Sequence, residues 1–377
     1  MQAYVDRKEL RAAITLTRKA IPRRRPMGET PVHRCLELAP AGDGFVSVRS
    51  TDSDGNGARV TLKCDGRLEG PMLIDAAALA KMVPAKGPER VTLESAAQGA
   101  SATVGAALVT VEYAAADMLE APQGEWLEPD GRFDVDTLRA ALAGCIPAAS
   151  SDETRYNLCG AFLEVTPEDG ARMVSTDGHR MAVHTLDGLG LDYRGRDVII
   201  PMVGLRILEA ALRKARAGYV DMARFASMMR FSFGGWEVFA RAIEGEYPAY
   251  RNVIPAREYG RLELEPGTLE AALDAVSGAT PEHNRAVQFT VGDSDVIVHA
   301  SSLETGADAT HRAGCTVSDP LEPGQSFAMN ADYLRAAIAG LEGPVSLWWG
   351  RDATSPFCFT GRDIGASTLR VVMPLRV

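Results

Sequence analysis

FDVDTLRAALAGCI, residues 133–146, begins with the alternation of a short strand and becomes an amphipathic helix within a few residues. Leu138, Ala141, Leu142, Cys145 and Ile146 recur with a 3.6-residue period, which gathers their side chains on one face for burial. Asp136 stands just ahead of that apolar run, where its carboxylate is expected to cap the helix by accepting unpaired backbone N–H groups. The same pattern recurs as YVDRKELRAAITLTRKAI (4–21), MLIDAAALAKMV (72–83), VIIPMVGLRILEAALRKA (198–215), LELEPGTLEAALDAV (262–276) and FAMNADYLRAAIAGL (327–341). The copies starting near 4, 133 and 262 lie 129 residues apart, and each is followed by another copy 65–68 residues later. This spacing implies three domains, each built from two similar halves.

Between the helices lie strand candidates: VTLES (91–95), AFLEV (161–165), WEVFARAI (236–243), VQFTV (287–291), VIVHA (296–300) and TLRVVM (368–373). Their alternation and β-branched content fit sheets with one buried face. The expected class is α+β, with helices gathered on one side of antiparallel sheets. Acidic and proline-rich stretches at 117–131 and 245–261 read as linkers.

A chain of 377 residues exceeds one ordinary core, and 46% apolar composition can fill several. No apolar run approaches the roughly 20 residues that span a bilayer, and the charged opening MQAYVDRKEL is unlike a signal peptide, so the expectation is a soluble cytoplasmic protein without membrane partners. Six scattered cysteines without CxxC spacing read as free thiols. The net charge is -10, yet residues 1–25 carry eight basic side chains against Asp6 and Glu9, leaving -16 on the remainder. Such asymmetry suits a basic lining for a polyanion with an acidic surface elsewhere; an amphipathic helix with a solvated charged face also produces it.

STDGHRMAV (175–183) places Ser175, Asp177 and His179 close together, the residue types of a hydrolase. A hydrolase needs a nucleophile, a base and an orienting group in mutual reach, and Asp177-Gly178 more naturally makes a turn. The chain has no G-x-S-x-G elbow, phosphate-cradling loop or H-E-x-x-H motif. DSDGNG (52–57) resembles part of a calcium loop but lacks the downstream glutamate, and reads as a hairpin. The six histidines form no local ligand set, so no metal, cofactor or catalytic residue is assigned.

STDGHRMAV, EGEYPAYRNVIP (244–255), the terminal VVMPLRV (371–377) and RYNLCG (155–160), set on a 129-residue repeat, together resemble the bacterial sliding clamp family, the beta subunit of DNA polymerase III. The resemblance covers essentially the whole chain. It implies clamp domains at 1–124, 125–253 and 254–377, and a head-to-tail homodimeric ring with inner helices and outer antiparallel sheets around double-stranded DNA. Its implied partners are a replicative DNA polymerase, a clamp loader and other clamp-binding repair or replication proteins.

By the same resemblance, Arg24 in the basic loop and Arg155 with Tyr156 would contact DNA. Arg7 and Arg11 join them on local basic character, with Arg18, Arg23, Arg25, Arg139, Arg206, Arg213, Lys214 and Arg335 as further contributors. Thr176, Met181, Pro248, Val253, Asn330, Tyr333, Met373, Pro374 and Leu375 would line or border a groove for short peptides. The chain departs from the family at Met202 and Val203, where more basic residues are usual, and at Asn252, which replaces a second arginine. Two rival readings are an enzyme built on 175–183 and a clamp-derived regulator that does not encircle DNA.

Overall fold

The structure, a computed structural model, describes residues 2–21, 31–96, 99–104, 107–111, 129–166, 170–189, 197–215, 218–255, 259–318, 326–350, 355–363 and 366–375. All six predicted helices form: α1 Arg7–Thr17, α2 Ala76–Met82, α3 Val135–Ala148, α4 Met202–Leu212, α5 Pro266–Val276 and α6 Ala331–Ile338. Each directly follows, or is one residue beyond, a strand of four or five residues. Every predicted strand core likewise lies in a strand, and three regions of helix and antiparallel sheet recur along the chain.

The abrupt strand-to-helix change has a chemical cause at three junctions. Asp6 accepts from the N–H groups of Lys8 and Glu9, Asp75 from Ala77 and Ala78, and Asn330 from Asp332 and Tyr333. Each side chain satisfies amides that the first helical turn leaves without carbonyl partners. α5 starts with Pro266, whose fixed φ and missing N–H suit the first turn. The expectation for Asp136 is corrected: α3 begins at Val135, so Asp136 lies inside the first turn and accepts instead from Arg139 Nη1 at 2.6 Å.

The chain divides into two compact units. The first comprises residues 1–135, 189–192 and 200–242. Its sheet runs in hydrogen-bonded order through Gly131–Asp134, Tyr219–Phe225, Met228–Phe233, Trp236–Arg241, Gly57–Gly66, Gln2–Asp6, Arg90–Ala96, Gly99–Val104 and Ala107–Val111. Gly57–Gly66 also pairs with Phe45–Thr51, which leads to Cys35–Pro40 and Met72–Asp75. α1 buries Leu10 and Ile14 against these strands, and α4 lies on Trp236–Arg241. At Gly204 a Cβ would come within 2.7 Å of the Ala240 Cβ, so only glycine lets α4 approach the sheet this closely. The DSDGNG stretch is a hairpin turn, as expected: Asp52 accepts from the N–H groups of Asp54 and Asn56 and from the Asn56 amide.

The second unit comprises residues 136–188, 193–199 and 243–377. One sheet runs through Val198–Pro201, Gly160–Thr166, Gly170–Thr176, Arg180–Leu186, Ala366–Val372, Phe357–Asp363, Glu342–Trp349, Gly260–Leu264 and Thr316–Ser318. A four-stranded sheet orders Ala307–Gly314, Asp295–Ser302, Ala286–Val291 and Ser326–Asn330. α5 and α6 pack over a core that includes Leu269, Leu273, Phe289, Leu334 and Phe359. A second cluster joins Val174, Met181, Tyr247, Tyr250, Trp348, Cys358 and Val371. All six cysteines are free thiols. Among the described residues no helix is long and apolar enough to cross a membrane.

Candidate functional site

Residues 175–180 form a turn held by their own side chains. Thr176 Oγ1 donates to the Arg180 carbonyl at 2.7 Å and accepts from Gly178 N at 3.1 Å. Asp177 Oδ1 accepts from the N–H groups of His179 and Arg180, and its Oδ2 pairs with Arg180 Nε at 3.0 Å. Gly178 has φ +90°, a conformation that explains glycine at the turn's tip. Ser175 is fully buried and donates to the Gly160 carbonyl. Asp177 therefore meets the backbone N–H of His179, and Ser175 points into the sheet, so the three residues form no hydrolytic relay.

After the turn, Arg180 and Met181 pair in register with Val372 and Val371. The chain then leaves the sheet as a short tail: Met373 N donates to the His179 carbonyl at 2.8 Å, and Leu375 N donates to the Ala328 carbonyl at 2.8 Å. The tail thus runs from the 176–180 turn to strand Ser326–Asn330, which ends at α6. Asn330 caps α6 and donates through Nδ2 to the Asn284 carbonyl, which fixes the helix start beside the tail. Tyr333 follows on the first turn of α6. The Arg180 guanidinium lies 4.5 Å from its ring centroid, and the His179 ring stacks at 6.4 Å. The cation–π geometry orients both side chains.

A cleft opens among these groups. It is shallow, with a cavity volume of about 10 Å³, and is lined by Arg180, Met181, Tyr333 and Val372, together with Gly144 and Pro147 of α3. Met181 is only 4% exposed and Val371 1%, so the base is apolar and buried, while Tyr333, Met373, Pro374 and Leu375 stay partly accessible. The α3 contribution was not foreseen from sequence. Its signal is the small-residue stretch AGCIPA: a Cβ at Gly144 would collide with the buried Arg370 guanidinium and His184 ring.

The loop carrying Pro248 and Val253 is anchored to the same cluster that contains Met181 and Val371. Tyr247 stacks on Phe162 with centroids 4.7 Å apart. Tyr250 is 5% exposed and donates through its hydroxyl to Glu164 Oε2 at 2.6 Å, while Arg251 Nη2 bonds the same oxygen at 2.7 Å. Burial, and then the bond to Glu164, pushes the Tyr250 hydroxyl up to about 12. Burial raises Tyr247 as well. Pro248 and Val253 remain exposed on this anchored frame.

The predicted basic contacts separate into different roles. Arg7 is corrected: it is 5% exposed, and its guanidinium donates to the carbonyls of Pro84, Ala85 and Pro88, tying α1 to the loop after α2. Arg11 is exposed, with one bond to the Val83 carbonyl at 2.6 Å. Arg18, Arg206 and Lys214 are exposed without carboxylate partners among the described residues. Arg139, Arg213 and Arg335 pair with Asp136, Glu209 and Asp274. In the second unit, Arg155 pairs with Asp152 and donates to the Asp177 carbonyl, which braces the 176–180 turn. Hydrogen bonds from Thr154 and then Arg155 hold the Asp152 carboxyl below its ordinary value. Tyr156 is 58% exposed beside it. Arg23, Arg24 and Arg25 lie outside the described residues. Among the described residues no group of three histidine, cysteine or acidic side chains could hold a metal ion.

Residues 132–249 match the family described as DNA polymerase III beta subunit, central domain. The beta sliding clamp of Caulobacter vibrioides is 29% identical over 234 residues, which cover 61% of this chain and 61% of the relative. That of Synechococcus elongatus is 26% identical over 355 residues, 90% of each chain. The fold is also that of solved clamps. The sliding clamp of Bartonella birtlesii, bound to griselimycin, superposes with TM-score 0.85 at 22% identity over 100% of both chains. The DNA polymerase sliding clamp of Bacillus subtilis gives TM-score 0.85 at 20% identity over 100% of this chain and 99% of that one.

Proposed function

We propose that this chain, a homologue of the bacterial DNA polymerase III beta subunit, is a sliding clamp: a non-catalytic processivity factor that encircles duplex DNA and tethers a replicative polymerase. The observation that carries the reading is similarity over 90% of both chains to a curated beta sliding clamp, together with a fold coextensive with solved clamps. In this reading three domains, 1–124, 125–253 and 254–377, close head to tail with a second copy into a cytoplasmic ring with helices inside and sheets outside. Strands Ala107–Val111 and Ala307–Gly314 each end a sheet, and pairing one with the other in the partner copy would protect both edges.

A ring separates retention from binding strength. Diffuse attraction between phosphates and exposed cations such as Arg11, Arg18, Arg206 and Lys214 would leave the ring free to move, while closure would prevent escape. Arg24, Arg155 and Tyr156 are further proposed DNA contacts. Opening would be the work of a clamp loader.

The second part of the reading is a peptide groove shared by polymerase, loader and repair factors. Met181 would floor it; Thr176, Asn330, Tyr333, Met373, Pro374 and Leu375 would form its sides, and Pro248 and Val253 its far rim. Its support is the convergence of the turn, the tail and the start of α6, residues distant in sequence. An apolar base with few polar rim groups suits one or two hydrophobic anchors of a linear peptide. Titration of a fluorescent clamp-binding peptide into the protein and into a Met373→Ala, Leu375→Ala variant tests the groove. We expect at least tenfold weaker binding by the variant; unchanged affinity removes the groove assignment.

A further inference from the structure

The first unit contains a larger cleft that the peptide groove does not explain. It lies where α1, α4 and Trp236 meet, and has a cavity volume of about 280 Å³. Its rim carries Lys8, Arg11, Lys19 and Lys214, all exposed; among the described residues none of them has a carboxylate partner and no acidic side chain lines the cleft. Its floor is apolar, with buried Leu16 and the partly buried ring of Trp236. Arg7 also borders it, but its guanidinium is engaged by the carbonyls of the loop after α2.

We propose that this cleft binds a free nucleoside triphosphate, with the phosphates among the four rim cations and the base against Trp236. The charge arrangement selects a compact polyanion, since Lys8, Lys19 and Lys214, with Arg11 held by one bond to the Val83 carbonyl, bring four positive charges around one concavity that repel one another until an anion enters. A bare phosphate would leave the apolar floor empty. A heteroaromatic base fills it, and an aromatic ring can stack against any base, so the site would discriminate weakly among nucleobases. The inference does not rest on DNA encirclement, because it concerns the free protein.

The test is calorimetric titration of the full chain with ATP, inorganic tripolyphosphate and a six-residue single-stranded oligodeoxynucleotide. ATP is expected to bind saturably with one site per chain, and tripolyphosphate about tenfold more weakly for want of stacking. Trp236→Ala should lower ATP affinity by about the same factor, whereas Trp236→Phe, which keeps an aromatic face, should change it by less than about threefold. Lys8→Glu with Lys214→Glu should abolish binding of ATP and tripolyphosphate alike, with the thermal melt reporting that the variant is folded. Equal affinity for ATP and tripolyphosphate, indifference to Trp236→Ala, or absence of saturable ATP binding would each overturn the proposal. Binding of the oligonucleotide without ATP would overturn it too, because the ligand would then be a strand.

Discussion

Replacing Tyr250 with phenylalanine keeps the buried ring and removes one hydroxyl. That hydroxyl donates to Glu164 at 2.6 Å and helps hold the loop on which Pro248 and Val253 are exposed. A hydrogen bond to a charged acceptor contributes about 1.5–3 kcal/mol. Glu164 retains Arg251 at 2.7 Å after the substitution, which places the expected cost at the lower end, about 1.5 kcal/mol. For a cooperative unit of about 150–250 residues this lowers Tm by about 3–6 °C. The pH dependence gives a second signature. Burial and the Glu164 bond raise the Tyr250 hydroxyl to about 12 from its ordinary value of 10, so the folded state holds this proton more tightly than the unfolded state. Its contribution is complete below pH 10 and is lost as pH rises towards about 12. Thermal melts of both proteins at intervals from pH 8 to 11.5 should show a gap at pH 8 that narrows above pH 10. Peptide affinity at pH 8 should fall several-fold, because the loop loses one of its two ties to Glu164. Equal melts at pH 8, or a gap constant through pH 11.5, would refute the reasoning.

The two N-terminal arginines should separate cleanly. Arg7→Ala removes three bonds to carbonyls from a buried position and should destabilise by more than about 2 kcal/mol, read as a denaturant midpoint. Arg11→Ala should change the midpoint little and reduce the salt dependence of DNA binding by about one phosphate contact, read as the slope of log affinity against log salt. Gly144→Ala should destabilise by about 1–3 kcal/mol although alanine is the better helix former, because the new methyl meets Arg370 and His184; a midpoint at or above that of the parent would show that the site relaxes.

The sequence carried the element types because they depend on local chemistry. A strand of four or five residues, an acid or amide at the junction and an apolar face of period 3.6 recur visibly, and Asp6, Asp75 and Asn330 cap where that pattern puts them. Asp136 failed the same logic because Asp134, two residues earlier, ends the strand and α3 starts at once with Val135. Grouping of elements was less legible. All of α3 but its first residue clusters with the second unit and α4 with the first, since strand pairing between distant segments leaves no local signal. Arg7 looked like a surface cation because only the folded loop at 84–88 supplies its acceptors. At the candidate groove, motif resemblance named the turn, the tail and Tyr333, but Arg180 stacking on that ring became visible only in three dimensions.

The central claim is topological, and retention on DNA tests it most directly. The labelled protein is placed on nicked circular DNA by a bacterial clamp loader, freed of unbound protein by gel filtration, and followed before and after a single restriction cut. A sliding clamp stays on the closed circle and leaves rapidly once the DNA has ends. Loss at the same rate from circular and linear DNA would contradict encirclement.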